Sequence, residues 1–113
     1  MVATGKLRHF VAFQVPITEI DSEGNSTETW TDAFDGQEIS AAIEPLSGRE
    51  LLAAQQVHSR VTTRITVRYR PGILPEMRIV HRSTYYNIEA VIPDAETGYR
   101  HCTLLCYSGT NDG

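Results

Sequence analysis

A mainly β fold is predicted for this sequence of 113 residues: a small antiparallel β-barrel or compact sandwich with one short inserted helix and a long acidic loop. Three observations carry that expectation. Apolar and polar residues alternate with a period of two along several stretches, as they do in strands with one buried face. Short clusters of Gly, Pro, Asp and Asn separate those stretches and read as turns. Only one segment carries both the capping and the propensity signals of a helix.

In chain order, residues 7–15 form an apolar strand candidate, and residues 21–26 form a polar, Gly-containing turn or mobile loop. Trp30, the single tryptophan, reads as a core or interface anchor, because its large apolar face favours burial. Residues 38–45 make a short strand with Ile39, Ala41 and Ile43 facing inward, ended by Pro45, which cannot donate to a ladder. Ser47, with Glu50 three residues later, then offers a capping box for the helix-forming residues 51–56. A helix so short is not stable alone and must pack on something or remain mobile.

The strongest strand pattern spans residues 58–69. Val61, Thr63, Ile65, Val67 and Tyr69 take one face; Arg60, Thr62, Arg64, Thr66 and Arg68 take the other. Two prolines and a glycine interrupt residues 70–75, and residues 77–80 give a short strand. In residues 85–92 the pattern places Tyr86, Ile88, Ala90 and Ile92 on one side. Residues 94–98 read as a hairpin connection, and residues 100–107 close the pattern with Cys102, Leu104 and Cys106 inward. Five to seven strands of this length close most simply into a barrel or sandwich, since closure removes exposed edges.

Composition narrows the function classes. Hydrophobic residues at 41% and charged residues at 21% fit one domain over residues 1–113, structured over about 5–107, with 108–113 as a flexible tail. A net charge of −4 argues against a general nucleic-acid coat. No apolar run reaches the length of a membrane span, and the N-terminus lacks a signal-peptide core, so a soluble protein with no membrane partner is expected. Two cysteines cannot supply a disulfide framework, which fits a reducing compartment.

The net charge conceals two opposed blocks. Residues 17–48 hold eight acids (Glu19, Asp21, Glu23, Glu28, Asp32, Asp35, Glu38 and Glu44) and no Lys or Arg, a balance of −8. Residues 49–82 hold seven arginines against Glu50 and Glu76, a balance of +5. Such segregation is neutralised strand against strand within one fold, or between neighbouring copies of the chain.

Catalytic and metal chemistry find little support. Cys102 and Cys106 share a strand face about 13 Å apart, too far to bridge or chelate, and they read as core residues. The histidines His9, His58, His81 and His101 form no recognisable ligand spacing, and no nucleophile elbow, phosphate loop or dinucleotide fingerprint is present. No enzyme, cofactor or metal site is expected. Arg60, Arg64 and Arg68 form the strongest polar constellation. It reads as cross-strand pairing with Glu38, Glu44 or Glu89, as an acidic–basic contact between copies, or as a phosphate-contacting face.

The ordered landmarks are Gly5-Lys-Leu7, the Asp21-x-x-Gly24 turn, Trp30, and Ile43-Glu-Pro-Leu-Ser-Gly-Arg-Glu50. Arg64-Ile-Thr-Val-Arg-Tyr-Arg70, Gly72-Ile-Leu-Pro-Glu-Met-Arg78, Tyr86-Asn-Ile88 and Leu104-Leu-Cys-Tyr107 complete them. Over residues 5–107 this order resembles the head–tail joining family of long-tailed bacteriophages, also called head-completion, stopper or connector proteins. The resemblance implies a structural, non-enzymatic virion protein. Copies, which could be monomeric before assembly, would form a ring below the portal and adaptor after DNA packaging, in an assembly built in the host cytoplasm. It also implies that the ring helps retain the packaged double-stranded DNA and presents a surface to tail proteins. By motif position, residues 45–59 correspond to the channel-facing or gating segment, with Arg49, Glu50, Leu51, Leu52, Gln55 and Gln56 as candidates. Glu19, Asp21, Glu23, Trp30, Arg60, Arg64 and Arg68 are the candidate inter-subunit contacts. Alternative readings are a tail-completion or adaptor protein of the same junction, or a single-strand nucleic-acid-binding barrel.

Overall fold

The structure, a computed structural model, describes residues 8–93 and 100–109. Seven strands run in the order β1 (His9–Ile20), β2 (Ser26–Asp32), β3 (Ile39–Pro45), β4 (Thr63–Arg68), β5 (Arg78–His81), β6 (Thr84–Pro93) and β7 (His101–Gly109). A short 3-10 turn (Phe34–Gly36) lies between β2 and β3, and one helix, α1 (Gly48–Val57), between β3 and β4. The expected hairpin at 94–98, residues 5–7, and most of the expected tail lie outside the described residues. Strand β7 runs through Ser108 to Gly109, so the tail expected from residue 108 does not begin there.

Every pairing is antiparallel, and six strands close on themselves in the order β1-β3-β4-β7-β6-β5, with β5 returning to β1. Of the two architectures expected, the barrel is the one formed. Its interior takes Ala41, Ile65, Val67, Leu104 and Cys106 from the predicted period-two faces and adds Val11, Phe13 and Ile79, from strands whose inward face was not assigned. All eight are fully buried, whereas Ile39 and Ile43, expected inward, are half-buried. Phe13 meets Phe34 edge-to-face at a centroid distance of 5.7 Å.

The long acidic loop is the first correction. Gln14 is the junction: one edge of β1 pairs it with Arg78 of β5, the other with Asp32 of β2. Beyond Gln14, β1 leaves the barrel and runs with β2 as a two-stranded hairpin from Val15–Thr31 to Ile20–Ser26. Its strands carry Ile17, Thr18 and Ile20 in β1 and Thr27, Thr29, Trp30 and Thr31 in β2, β-branched and aromatic residues that suit a pleated surface. The Asp21 carboxylate holds the turn by accepting the N–H groups of Glu23 (2.9 Å) and Asn25 (2.8 Å). Gly24, at φ +87°, takes the left-handed position that favours glycine. Accepting these N–H groups, above all that of Asn25, lowers the Asp21 carboxyl from its ordinary pKa.

The second correction concerns residues 58–69. Helix α1 continues to Val57 and closes with His58 N–H donating to Ala54 C=O; Ser59 and Arg60 then form a turn, and β4 begins only at Thr63. Arg60 therefore does not share a strand face with Arg64 and Arg68. Ser47 occupies the N-cap position, but its hydroxyl makes no cap hydrogen bond, and Glu50 turns to Arg64 instead of completing a capping box.

The third correction is in β6, where Glu89 is an extra residue in a β-bulge: Ile88 pairs with Cys106, whereas Ala90 pairs with Leu105. The inward parity shifts there, so Val91 packs against the core while Ile92 is 45% exposed. An unbroken alternation through Ala90 and Ile92 does not exist.

Burial makes Cys106 a poor acid, its thiol pushed up to about 12. We expect the native protein to leave both cysteines unmodified by a thiol reagent at neutral pH and to react fully once unfolded. Between the ordinary thiol value of 9.0 and about 12 the unfolded chain ionises Cys106 while the folded chain does not. Its contribution to stability is therefore complete below pH 9.0 and is lost as pH rises through that window. A flat stability profile there in wild type, compared with Cys106→Ala, would contradict the assignment.

Candidate functional site

Two polar constellations stand on the outside of the barrel. The first joins α1 to the barrel wall. Arg64, on the outer face of β4, donates to Glu50 of α1 (2.5 Å) and to Glu44 of β3 (3.4 Å). Burial lowers the Arg64 pKa, but the two carboxylates outweigh it, Glu50 most, so the net shift is upward. Past the other end of the helix, Arg60 donates to Glu89 (3.0 Å) and stacks over Tyr107 (4.4 Å); His58 lies 4.0 Å from the same carboxylate. Glu89 follows the inward Ile88 and is the extra residue of the β6 bulge. Gln55 adds a 2.9 Å bond to Val61 C=O.

Between these ties the helix is lightly held. None of its residues is buried; Leu51, Ala54 and Gln55 are half-buried, while Arg49, Leu52 and Gln56 are exposed. Leu52 is 66% exposed and Val57 76%, so the apolar residues that sequence reasoning assigned to this segment do not all find a core. Polar contacts at the two ends position α1, and burial contributes little.

The second constellation lies at the root of the hairpin. Asn87, Arg78, Gln14 and Asp32 line up across β6, β5, β1 and β2. Arg78 Nε donates to Gln14 Oε1 at 2.7 Å, and its guanidinium lies 4.3 Å from the ring centres of both Trp30 and Tyr85. Trp30 is thus half-buried on the outer surface as a stacking partner, and it is no part of the core. We expect Trp30→Ala to loosen the hairpin root by about 1–2 kcal/mol through loss of the stack, read as a lower urea midpoint; an unchanged midpoint would show the stack to be inert.

Of the expected inter-subunit residues, Glu19, Asp21 and Glu23 lie on the hairpin, and none forms an ion pair among the described residues. Arg60 and Arg64 are engaged by Glu89, Glu44 and Glu50, two of the three partners being those expected; Glu38 is not used. Arg68, exposed opposite His101, makes no ion pair among the described residues. The three arginines therefore do not form a free phosphate-binding stripe. Gln14, Arg78 and Tyr85 were not singled out from sequence: each sits in an ordinary strand pattern, and their convergence depends on the closure of β5 onto β1. Glu89 was among the carboxylates expected to pair with the arginines, and it does so with Arg60. No cluster able to hold a metal ion exists among the described residues.

The family model described as phage head completion protein matches residues 2–109. The chain is 29% identical over 72 residues to head completion protein gp16 of Bacillus phage SPP1, an alignment that covers 64% of this chain and 63% of that protein. The chain thus spans just under two thirds of the curated relative it matches. Among solved structures, protein SF1141 from Shigella flexneri 2a aligns with a TM-score of 0.76 at 25% identity, covering 98% of this chain and all of that one. A chain in the virion of a native gene transfer agent particle aligns with a TM-score of 0.56 at 16% identity, over 92% and 96% of the two chains, a likeness of fold alone.

Proposed function

Because the chain belongs to the phage head completion protein family, we propose that it is a structural component of the virion at the head–tail junction. Its copies form a ring below the portal and adaptor after DNA packaging. The ring retains the double-stranded DNA and offers the tail its attachment surface. Its role is assembly, not catalysis, and it joins the particle in the host cytoplasm.

The observation that carries this reading beyond the family is the division of the molecule into a closed barrel and two elements outside it. The barrel supplies a rigid body with no free sheet edge of its own. From it project an acidic hairpin suited to meeting a neighbour and a lightly held helix suited to moving. Contacts in a ring are heterologous, one surface meeting a different surface of the next copy, and opposed charge blocks favour that register. Residues 45–59, with Arg49, Glu50, Leu51, Leu52, Gln55 and Gln56, are assigned to the channel side.

Electron microscopy of the purified chain mixed with DNA-filled heads that carry portal and adaptor tests the reading. A closed ring of added density at the portal exit is expected. Density at the tail tube alone would move the protein to tail completion, and no added density would reject the assignment.

A further inference from the structure

Arg78 is anomalous among the arginines of this chain. It is 4% exposed, its Nη1 has no hydrogen-bond partner, and no carboxylate pairs with it among the described residues. Arg60 and Arg64, both far more exposed, each have one. A guanidinium withdrawn from water without a counter-charge is costly, and stacking on two rings offsets only part of that cost. The isolated protomer therefore has an unmet requirement for a planar acceptor at this point. A carboxylate meets it best, since it can engage two guanidinium N–H groups at once.

The same chain carries the missing charge in excess. Glu19, Glu23 and Glu28 lie on the hairpin without an ion pair among the described residues. Glu23 is in the turn at its tip, where Ile20 ends β1 and is 71% exposed. The tip cannot serve its own Arg78. Arg78 is level with Gln14 across the β1–β5 pair, and the six residues from Gln14 to Ile20 place the tip about 20 Å further along the strand.

We propose that Arg78, held between Trp30 and Tyr85, is the receptor for a carboxylate at the hairpin tip of a second copy of this chain, with Glu23 as the donor of that charge. Each copy then offers a tip to one neighbour and a stack to the other, a head-to-tail contact of the kind that closes rings. Trp30 and Tyr85 are half-buried surface rings, so a side-chain turn of either uncovers Nη1 for the incoming group. Glu28 shares the outer face of the hairpin with Trp30, and Glu19 lies on the opposite face, so Glu28 is the carboxylate that lines the approach to the stack. The inference rests on the ring reading above and names the contact that reading leaves open.

The test uses the full chain in sedimentation equilibrium at low ionic strength, up to about 1 mM, with thermal midpoints measured in parallel. Wild type is expected to self-associate. Gln14→Glu supplies Arg78 with a carboxylate from within; it should raise the thermal midpoint and weaken self-association by about tenfold or more. Glu23→Gln should weaken association comparably and leave the midpoint unchanged. A wild type monomeric throughout, either variant associating like wild type, or a fall in midpoint for Gln14→Glu overturns the proposal. A ring on DNA-filled heads together with any of those results rejects the Arg78 contact alone. Association as proposed without a ring on heads rejects the ring reading instead.

Discussion

Phe13→Ala should lower the folding free energy by about 3–5 kcal/mol, the largest loss we expect from a single truncation. Phe13 is fully buried where the barrel is closed: β1 pairs with β3 at Val11, with β5 at Phe13 itself, and with β2 from Gln14 onward. Its ring supports Phe34, whose face in turn carries Arg70 at 4.7 Å, and its C=O accepts the Ala33 N–H at 2.8 Å. The cavity left behind is walled by hydrogen-bonded strands that cannot collapse into it, so the cost falls towards the upper part of that range. For a domain whose total stability is about 5–15 kcal/mol, the variant is expected to be partly unfolded at physiological temperature. Urea unfolding followed by tryptophan fluorescence reads the change, with Ile92→Ala, on the exposed side of the bulge, as a control within about 0.5 kcal/mol of wild type. A loss below about 1 kcal/mol for Phe13→Ala would show that the closure does not depend on this ring.

Arg64→Glu has the opposite profile, a large local effect with a small global one. The substitution removes the cation shared by Glu44 and Glu50 and places a third carboxylate beside them. Like charges at that range repel, and the first half of α1 has no buried residue to hold it against them. Amide hydrogen exchange in residues 48–57 should accelerate by about tenfold or more, whereas Ile65 and Leu104, buried in the neighbouring strands, should keep their protection. Under the proposed function, particles carrying this variant should lose packaged DNA, because the channel-side segment no longer takes one position. Unchanged exchange in α1 would mean that the helix is held by its half-buried residues, Leu51, Ala54 and Gln55, and that Arg64 is dispensable to it. Arg64→Gln, which removes the cation without adding repulsion, should fall between wild type and Arg64→Glu in the same measurement.

The two outcomes trace the division between what the chain displays and what folding decides. Alternation in residues 61–69 and 100–107 places Val61, Ile65, Val67, Cys102, Leu104 and Cys106 inside as that pattern requires, although Thr66, assigned to the outer face, is buried as well. The same rule fails at Glu89, because a bulge adds one residue without altering local propensity, and every later side chain in β6 changes face. The Asp21-x-x-Gly24 turn was legible as a turn. That it closes a hairpin was not, since residues 17–29 show no period-two apolar alternation: pairs such as Thr18 with Glu28 and Glu19 with Thr27 are polar on both faces.

Candidate contacts divide in the same way. Arg64 could be matched to Glu44 from spacing and charge, whereas Glu50, read as part of a capping box, pairs with Arg64 across to the barrel wall and Ser47 makes no cap bond. Nothing in the chain marked Arg78 as different from Arg68. The sequence by itself determined the strand class, the buried face of most strands, the break at each turn and the opposed charge blocks, all of which depend on residues within one element or its immediate neighbours. Tertiary structure alone decided that β5 returns to β1, that β1 outruns the barrel into a hairpin, and that Trp30, Arg78 and Tyr85 meet. Those contacts join residues far apart in the chain, and their energy depends on closure geometry that no local pattern encodes.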